Sequence, residues 1–417
     1  MKDRTILHCD CNGFYASVEC LFRPELKNVP MAVSGDADHR HGIILAKNEL
    51  AKKYQIQTAE TIWEAKRKCP ELVLVRPHRE AYVKYSVWIN EIYQEYTDLV
   101  EPFGIDESWL DVTASEQLFG DGKTIADTLR KRIQKELGLT ISVGVSFNKI
   151  FAKLGSDYRK PNATTVISRE NYRNIVWSLP VSALLFVGHS VEHTLHGMGI
   201  HTIGDLAFAE QSVLEKQLGK AGSMLHRYAR GEDDSPVASV YDQKEAKSIG
   251  NGMTFRRDLI SEQDIYLGVM AIADLVATRL RKHHKKCYTI QVIVKDAQFQ
   301  MVSRQKTLMT ATNLAKELED TAMELIRKHW KIGRPIRMIS IQTTHLCDEQ
   351  EILEQMNLFQ EETEQKRKQE NLEKAIDKIR LKFGKGAITK LSMVQNDIGI
   401  EMENKQASVQ NGKKDRQ

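Results

Sequence analysis

The chain has 417 residues, of which 41% belong to the AVILMFWYC set and 28% are charged, with 60 Lys+Arg against 56 Asp+Glu for a net charge of +4. That length predicts about two to four domains with ample core. The composition excludes wholesale disorder and a collagen-like fibre, and no apolar run approaches the roughly 18–20 residues of a membrane-spanning helix. Met1–Arg4 leads into a short apolar stretch without a cleavable signal pattern, so the cytosol is the expected compartment. The six cysteines form no C-x-x-C pair and the 13 histidines no H-E-x-x-H, so reduced, mostly buried thiols and no zinc site are expected.

The first 165 residues alternate short apolar runs with amphipathic stretches. Thr5–Cys9 predicts a buried strand ending at Asp10, and Phe14–Phe22 a helix just beyond it. Met31–Val33 and Ile43–Leu45 predict two short strands. Asn48–Tyr54 and Thr61–Lys68 predict helices, the second closed by Pro70. Tyr85, Trp88, Ile89, Ile92, Tyr93 and Tyr96 recur at helical spacing and predict one helix over Ala81–Val100. Val100–Val112 reads as a hairpin with Ile105–Ser108 at its turn, followed by a helix over Lys123–Leu137 and a strand over Thr140–Val145. Strand pairs covered by helices imply an α+β domain.

Residues near 170–235 read as helical with turns at Gly188, Gly199 and Gly204, and a linker follows over Val237–Lys247. A second α+β unit comes next. Leu267, Met270, Ala273, Val276, Ala277 and Leu280 stripe a helix, while Tyr288–Val294 and Ile339–Thr343 alternate as strands up to about Leu346. From Asp242 to Lys306 there are 12 basic and 7 acidic residues, a local excess that suits a polyanion or an ordinary solvated surface. The tail from Cys347 to Gln417 is polar. Leu372, Ile376, Ile379 and Phe383 give its centre helical periodicity, and its last fifteen or so residues carry no apolar pattern and predict disorder.

Asp10 and the pair Asp106-Glu107 stand at the ends of apolar strands in the first domain. If those strands are neighbours, three carboxylates meet at one sheet edge, repel, and demand a cation. Oxygen ligands of this kind select Mg²⁺ and suit two-metal phosphoryl transfer. Alone, each acid reads equally well as a turn or cap residue or a solvated corner.

The surrounding residues carry a stronger signal. Asp10-Cys11-Asn12-Gly13-Phe14-Tyr15-Ala16-Ser17-Val18-Glu19, Ile105-Asp106-Glu107-Ser108-Trp109-Leu110-Asp111, Ser142–Lys149 with Phe151-Ala152-Lys153, and Ser156–Asn162 resemble, in order and spacing, the four signatures of the Y-family (translesion) DNA polymerases, in their bacterial DNA polymerase IV type. The likeness runs from about residue 5 to 346. It implies a right-hand polymerase, with palm at 1–18 and 78–168, fingers at 19–77, a helix-hairpin-helix thumb at 169–236, a linker at 237–247, an α+β little finger at 248–346 and the tail at 347–417. It further implies low-fidelity, template-directed addition of dNTPs to a primer 3′-hydroxyl, lesion bypass, no proofreading exonuclease, and action as a monomer in the bacterial cytosol at the nucleoid.

By the same resemblance, Asp10, Asp106 and Glu107 hold two Mg²⁺ with the backbone carbonyl of Cys11, and Glu107 is the acid usually called catalytic. Tyr15, beside Phe14, is the steric gate against ribonucleotides. Lys160 reaches the triphosphate. In the fingers, Ala46, Glu49 and Lys52 stand where Thr or Ser, Tyr and Arg are common. The expectation is that Lys52 keeps the phosphate role and Glu49 turns aside into a local ion pair. Asn12 replaces a frequent second acid that is not the principal ligand. The first thumb hairpin, Leu185-Phe186-Val187-Gly188, departs from Pro-Gly-x-Gly. Arg256, Arg257, Arg304 and Lys306 are candidate contacts to primer-template DNA, and Gln355-Met356-Asn357-Leu358-Phe359 resembles a sliding-clamp motif, with Gln355, Leu358 and Phe359 as its anchors. The rivals are a non-catalytic, clamp- and DNA-bound recruiter of the same fold, which the intact acids disfavour, and another palm-type enzyme such as a nucleotide cyclase, which lacks a thumb and little finger.

Overall fold

The computed structural model describes residues 3–35, 42–242, 245–349, 360–394 and 396–400. The chain divides into two compact units, one ending at Gln243 and the other beginning at Lys244. Among the described residues no helix is long and apolar enough to cross a membrane.

The first unit is built on strands β1 (Ile6–Cys11), β5 (Val100–Pro102), β6 (Glu107–Asp111), β7 (Ile141–Ser146) and β8 (Thr164–Ile167), in the order β5-β6-β1-β7-β8. Strand alternation gives β1 two faces. Leu7, Cys9 and Cys11 enter a core with the helices Arg79–Gln94 and Gly122–Leu137 through Tyr82, Ile89, Tyr93, Ile125, Leu129 and Ile133. On the opposite face, Ile6 packs with Ala152 of the helix Lys149–Tyr158. That helix lies unusually near the sheet. A Cβ on Gly144 of β7 would sit 1.8 Å from the Ala152 carbonyl oxygen, and one on Gly155 would sit 2.9 Å from the Gly144 Cα. Glycine at both positions permits the approach.

A smaller sheet joins β2 (Met31–Ser34), β3 (Ile44–Lys47) and β4 (Val73–Val75) in the order β3-β2-β4. Asn48 caps the helix Glu49–Lys53, and Thr61 with Glu64 forms a capping box on Ile62–Lys68. Short helices between Tyr172 and Ala229 share a core of Val176, Leu195, Ile203, Leu206, Leu214 and Leu225.

The second unit has strands β9 (Ser248–Leu259), β10 (Lys285–Lys295), β11 (Met301–Thr312) and β12 (Ile336–Asp348), ordered β11-β10-β12-β9, with the helices Glu262–Lys282 and Ala315–His329 on one face.

Several expectations need correction. The predicted helix 81–100 ends at Gln94, and Val100 begins a strand. Tyr96 stays in the same core beyond the helix end, so the apolar spacing outlasts the helix. The turn predicted at 105–108 is shorter, because Glu107 and Ser108 already belong to β6. The first half of the expected linker is pinned to the first unit: Val237 is buried, and the Ala238 and Val240 amides donate to Glu101 and to the Asp98 carbonyl.

The polar tail is also more than a tail. The helix Gln360–Phe383 docks on the second unit, and Met393 and Ile398 pack into that unit's apolar clusters. The helical period was right but the docking face is the charged one. Glu370 meets Lys286 at 2.9 Å, Glu373 and Asp377 clasp Arg281, and Arg380 meets Asp274 at 2.8 Å, while Leu372, Ile379 and Phe383 remain exposed. Arg281 and Glu373 are both buried; without Glu373, Arg281 keeps Asp377, but the buried Ala315 amide loses its acceptor. Glu373→Ala is expected to lower the unfolding free energy of this unit by about 2 kcal/mol in urea titration.

Candidate active site

The three acids occupy one end of two adjoining strands. Asp10 is paired in register with Glu107 across β1 and β6, and the Cys11 amide donates to the Asp106 carbonyl at 3.0 Å. His8 and Asp10 share the face of β1 opposite the Cys9 core. Gly13, at φ 53°, turns the chain from β1 into the helix Phe14–Phe22. A Cβ on Gly104 would lie 3.3 Å from Glu107 Oε1 and 3.5 Å from Asp106 Oδ1, so both acids border that glycine.

Among the described residues, no three His, Cys, Asp or Glu side chains close into a ready metal cluster. Lysines stand against the acids instead. Lys160 Nζ lies 2.8 Å from Asp10 Oδ2 and 2.6 Å from Asp157 Oδ1. Lys153 Nζ lies 2.5 Å from Glu107 Oε2, and His8 Nε2 lies 3.2 Å from the same oxygen. Burial, then the charges of Asp10 and Glu107, push Asp106 up to about 6. Burial also raises Asp10, against the pull of Lys160. Burial opposes ionisation of Glu107 as well, but His8 and Lys153 outweigh it and hold the carboxyl at about 2. A half-buried, all-oxygen set containing one acid that resists ionisation fits a hard divalent cation such as Mg²⁺. The buried Cys11 thiol is pushed well above its ordinary value, chiefly by burial, so only its carbonyl suits such a site. Asn12 is committed elsewhere: its amide donates to Ser142 Oγ at 2.9 Å and its oxygen accepts from the Asn162 amide at 2.8 Å. A carboxylate could not make both bonds.

Half-buried Tyr15 stacks on Tyr82, with centroids 4.2 Å apart and planes 12° from parallel, while Phe14 is buried beside them. The Tyr82 hydroxyl donates to fully buried Glu19, which also lies 2.9 Å from His78 Nδ1. In the fingers, Glu49 does turn into a local ion pair, and its partner is Lys52 itself at 2.5 Å. Lys52 therefore must exchange a carboxylate for phosphate to serve a nucleotide. Burial, then the neighbouring charge of Lys52, lowers Lys47.

The candidate DNA-contacting residues are dispersed over the second unit. Arg256 and Arg257 lie on edge strand β9, and Arg304 and Lys306 on the opposite edge strand β11. Arg257 is paired with Asp264 at 2.9 Å and Asp397 at 2.7 Å. Arg304 and Lys306 share strand parity with Val302 and Leu308, which pack on the core, and Lys306 meets Glu324 of the covering helix at 2.5 Å. The open sheet face is polar and uncharged along one row, where Gln305, Gln291, Gln342 and Gly250 stand abreast. In the first thumb hairpin, Phe186 takes φ 71°, keeping without glycine the left-handed backbone of a turn. The motif Gln355–Phe359 lies outside the described residues.

His8, Lys153, Tyr82 and Glu19 were not singled out from the sequence. The parity of His8 with Asp10, and the placement of Lys153 a short way before Lys160 in the chain, were the available signals.

The impB/mucB/samB family matches residues 9–157, its C-terminal domain matches 246–358, and the thumb domain of DNA polymerase-iota matches 184–233. The chain is similar to DNA polymerase IV of Acetivibrio thermocellus, at 45% identity over 393 residues covering 94% of this chain and 98% of the relative. It is 36% identical to DNA polymerase IV 2 of Bacillus subtilis, over 93% of this chain and 94% of that one. In fold it is similar to a Y-family DNA polymerase chimera of Dbh and Dpo4, with a TM-score of 0.73 and 24% identity over 82% of this chain and 99% of that one.

The raised Asp106 makes stability depend on pH. The folded chain keeps this proton up to about 6 whereas the unfolded chain releases it near 3.8, so stability falls as pH rises through that window. Asp106→Asn is expected to stabilise the metal-free protein at pH 7.5, by on the order of 2 kcal/mol, and to change little at pH 4. Thermal melts in the presence of a chelator measure both.

Proposed function

We propose that this chain, which belongs to the impB/mucB/samB family and is a translesion DNA-directed DNA polymerase of Y-family fold, adds dNTPs to a primer 3′-hydroxyl by two-Mg²⁺ nucleotidyl transfer, at low fidelity and without proofreading. The observation that carries this reading is the register pairing of Asp10 with Glu107, with Asp106 at the same sheet end and its carboxyl pushed up to about 6. Bound Mg²⁺ would supply a more acidic primer hydroxyl and charge neutralisation on the triphosphate. Asp10, Asp106 and Glu107 hold the ions, together with the Cys11 carbonyl. Lys160 and Lys52 then leave their carboxylates for triphosphate oxygens, where an ammonium acts as a mobile point charge. Tyr15, braced by Tyr82, lies under the sugar and excludes a 2′-hydroxyl.

The palm comprises 1–18 and 78–168, the fingers 19–77, the thumb 169–236 and the little finger 248–346. The small three-stranded fingers support a loosely checked nascent pair. Arg256, Arg257, Arg304 and Lys306 hold primer-template DNA at phosphates, Arg257 and Lys306 by giving up an acidic partner. Gln355, Leu358 and Phe359 tether the enzyme to a sliding clamp, which raises its local concentration on DNA.

Primer extension with Glu107→Ala tests the reading: Mg²⁺-dependent extension is expected from the natural chain and none from the variant, with primer-template affinity retained. A non-catalytic recruiter would extend no primer in either form. Tyr15→Ala is expected to raise ribonucleotide incorporation relative to deoxyribonucleotide by about tenfold or more, equivalent to about 1.4 kcal/mol of lost discrimination.

A further inference from the structure

His8 is completely buried, yet it stands beside the carboxylate set rather than in an apolar core. It lies opposite Trp109 and Gly144 in the register of β1 with its two neighbours, and its ring meets Trp109 edge-on with centroids 5.2 Å apart. Nδ1 lies 2.8 Å from Ser156 Oγ on the closely approaching helix, and that hydroxyl lies equally near the Lys153 carbonyl, at 2.8 Å, so it donates to one of the two. Nε2 lies 3.2 Å from Glu107 Oε2 but lacks an aligned acceptor. A buried donor without a good acceptor costs about 1–3 kcal/mol. The geometry explains why the ring faces this way. Lys153 and His8 both approach Oε2, which leaves Oε1 beside Asp106 at Gly104.

We propose that His8 is a positioning residue for Glu107: with the Ser156 hydroxyl turned from the Lys153 carbonyl to donate to Nδ1, Nε2 carries the proton, and its N–H holds Oε2 and so favours the carboxylate orientation that ligates metal. The inference rests on the two-Mg²⁺ reading above. Ligating carboxylates depend on such outer partners, whose loss typically costs about 10–100-fold in metal affinity. His8→Phe keeps a ring against Trp109 and removes the donor, whereas His8→Gln returns an N–H near the same place.

The test is calorimetric titration of Ca²⁺ into the protein bound to a dideoxy-terminated primer-template and the matched dNTP. Melts of the metal-free protein and its primer-template affinity are measured in parallel. His8→Phe is expected to weaken Ca²⁺ binding by about tenfold or more while the metal-free protein still melts cooperatively. His8→Gln should recover part of the affinity. Ser156→Ala, which removes the partner at Nδ1, should shift Ca²⁺ binding in the same direction and serves if His8→Phe does not fold. Natural Ca²⁺ affinity in His8→Phe, or in Ser156→Ala where that variant stands in, overturns the positioning role. So does a loss of metal-free stability that His8→Gln does not reverse. If the natural chain itself binds no Ca²⁺ in this complex, the two-metal reading fails instead.

Discussion

Electrostatic repulsion among Asp10, Asp106 and Glu107 is the constraint around which the first unit is arranged. Bringing three carboxylates to one sheet end in partly dry surroundings is unfavourable unless cations answer them. The chain answers with Lys153 on Glu107 and Lys160 on Asp10, and leaves Asp106 reluctant to ionise. Both lysines come from one stretch, the helix Lys149–Tyr158 and the turn after it, which reaches the sheet because Gly144 and Gly155 lack side chains. A methyl group at either glycine would therefore act on the electrostatics of the acids as well as on packing.

The same logic of substitution recurs in the fingers. Lys52 holds Glu49 as Lys160 holds Asp10, so each lysine proposed to bind phosphate rests on an internal carboxylate. A triphosphate arriving at either lysine would displace existing contacts. Its net gain is the difference between two ion pairs, smaller than the Coulomb energy of either.

Much of this was legible in the sequence because the features were local. The strand Thr5–Cys9 and the helices Phe14–Phe22 and Thr61–Lys68 depend on near neighbours, and the four motifs held their order. What escaped were long-range pairings. Tyr82 stacks on Tyr15 from 67 positions away in the chain, and nothing within the Arg79–Gln94 helix marks which of its aromatics does so. Tyr96 continued a helical rhythm past the helix end because the core, not the helix, keeps it buried. The role of Asn12 needed Ser142 and Asn162, both distant in sequence. Arg304 and Lys306 were read from the family resemblance, which cannot say on which side of an edge strand a side chain leans.

The segment Gln360–Phe383 is fastened by two kinds of ionic contact. Arg281 with Glu373 is nearly dry, while Lys374 with Glu349 and Lys366 with Glu317 are reached by solvent. Dissolved ions weaken the wet contacts and barely touch the dry one. Raising ionic strength therefore frees the turn around Lys366 before the stretch held on Arg281, and amide hydrogens along the helix should exchange in that order while those of β10 and β12 stay protected.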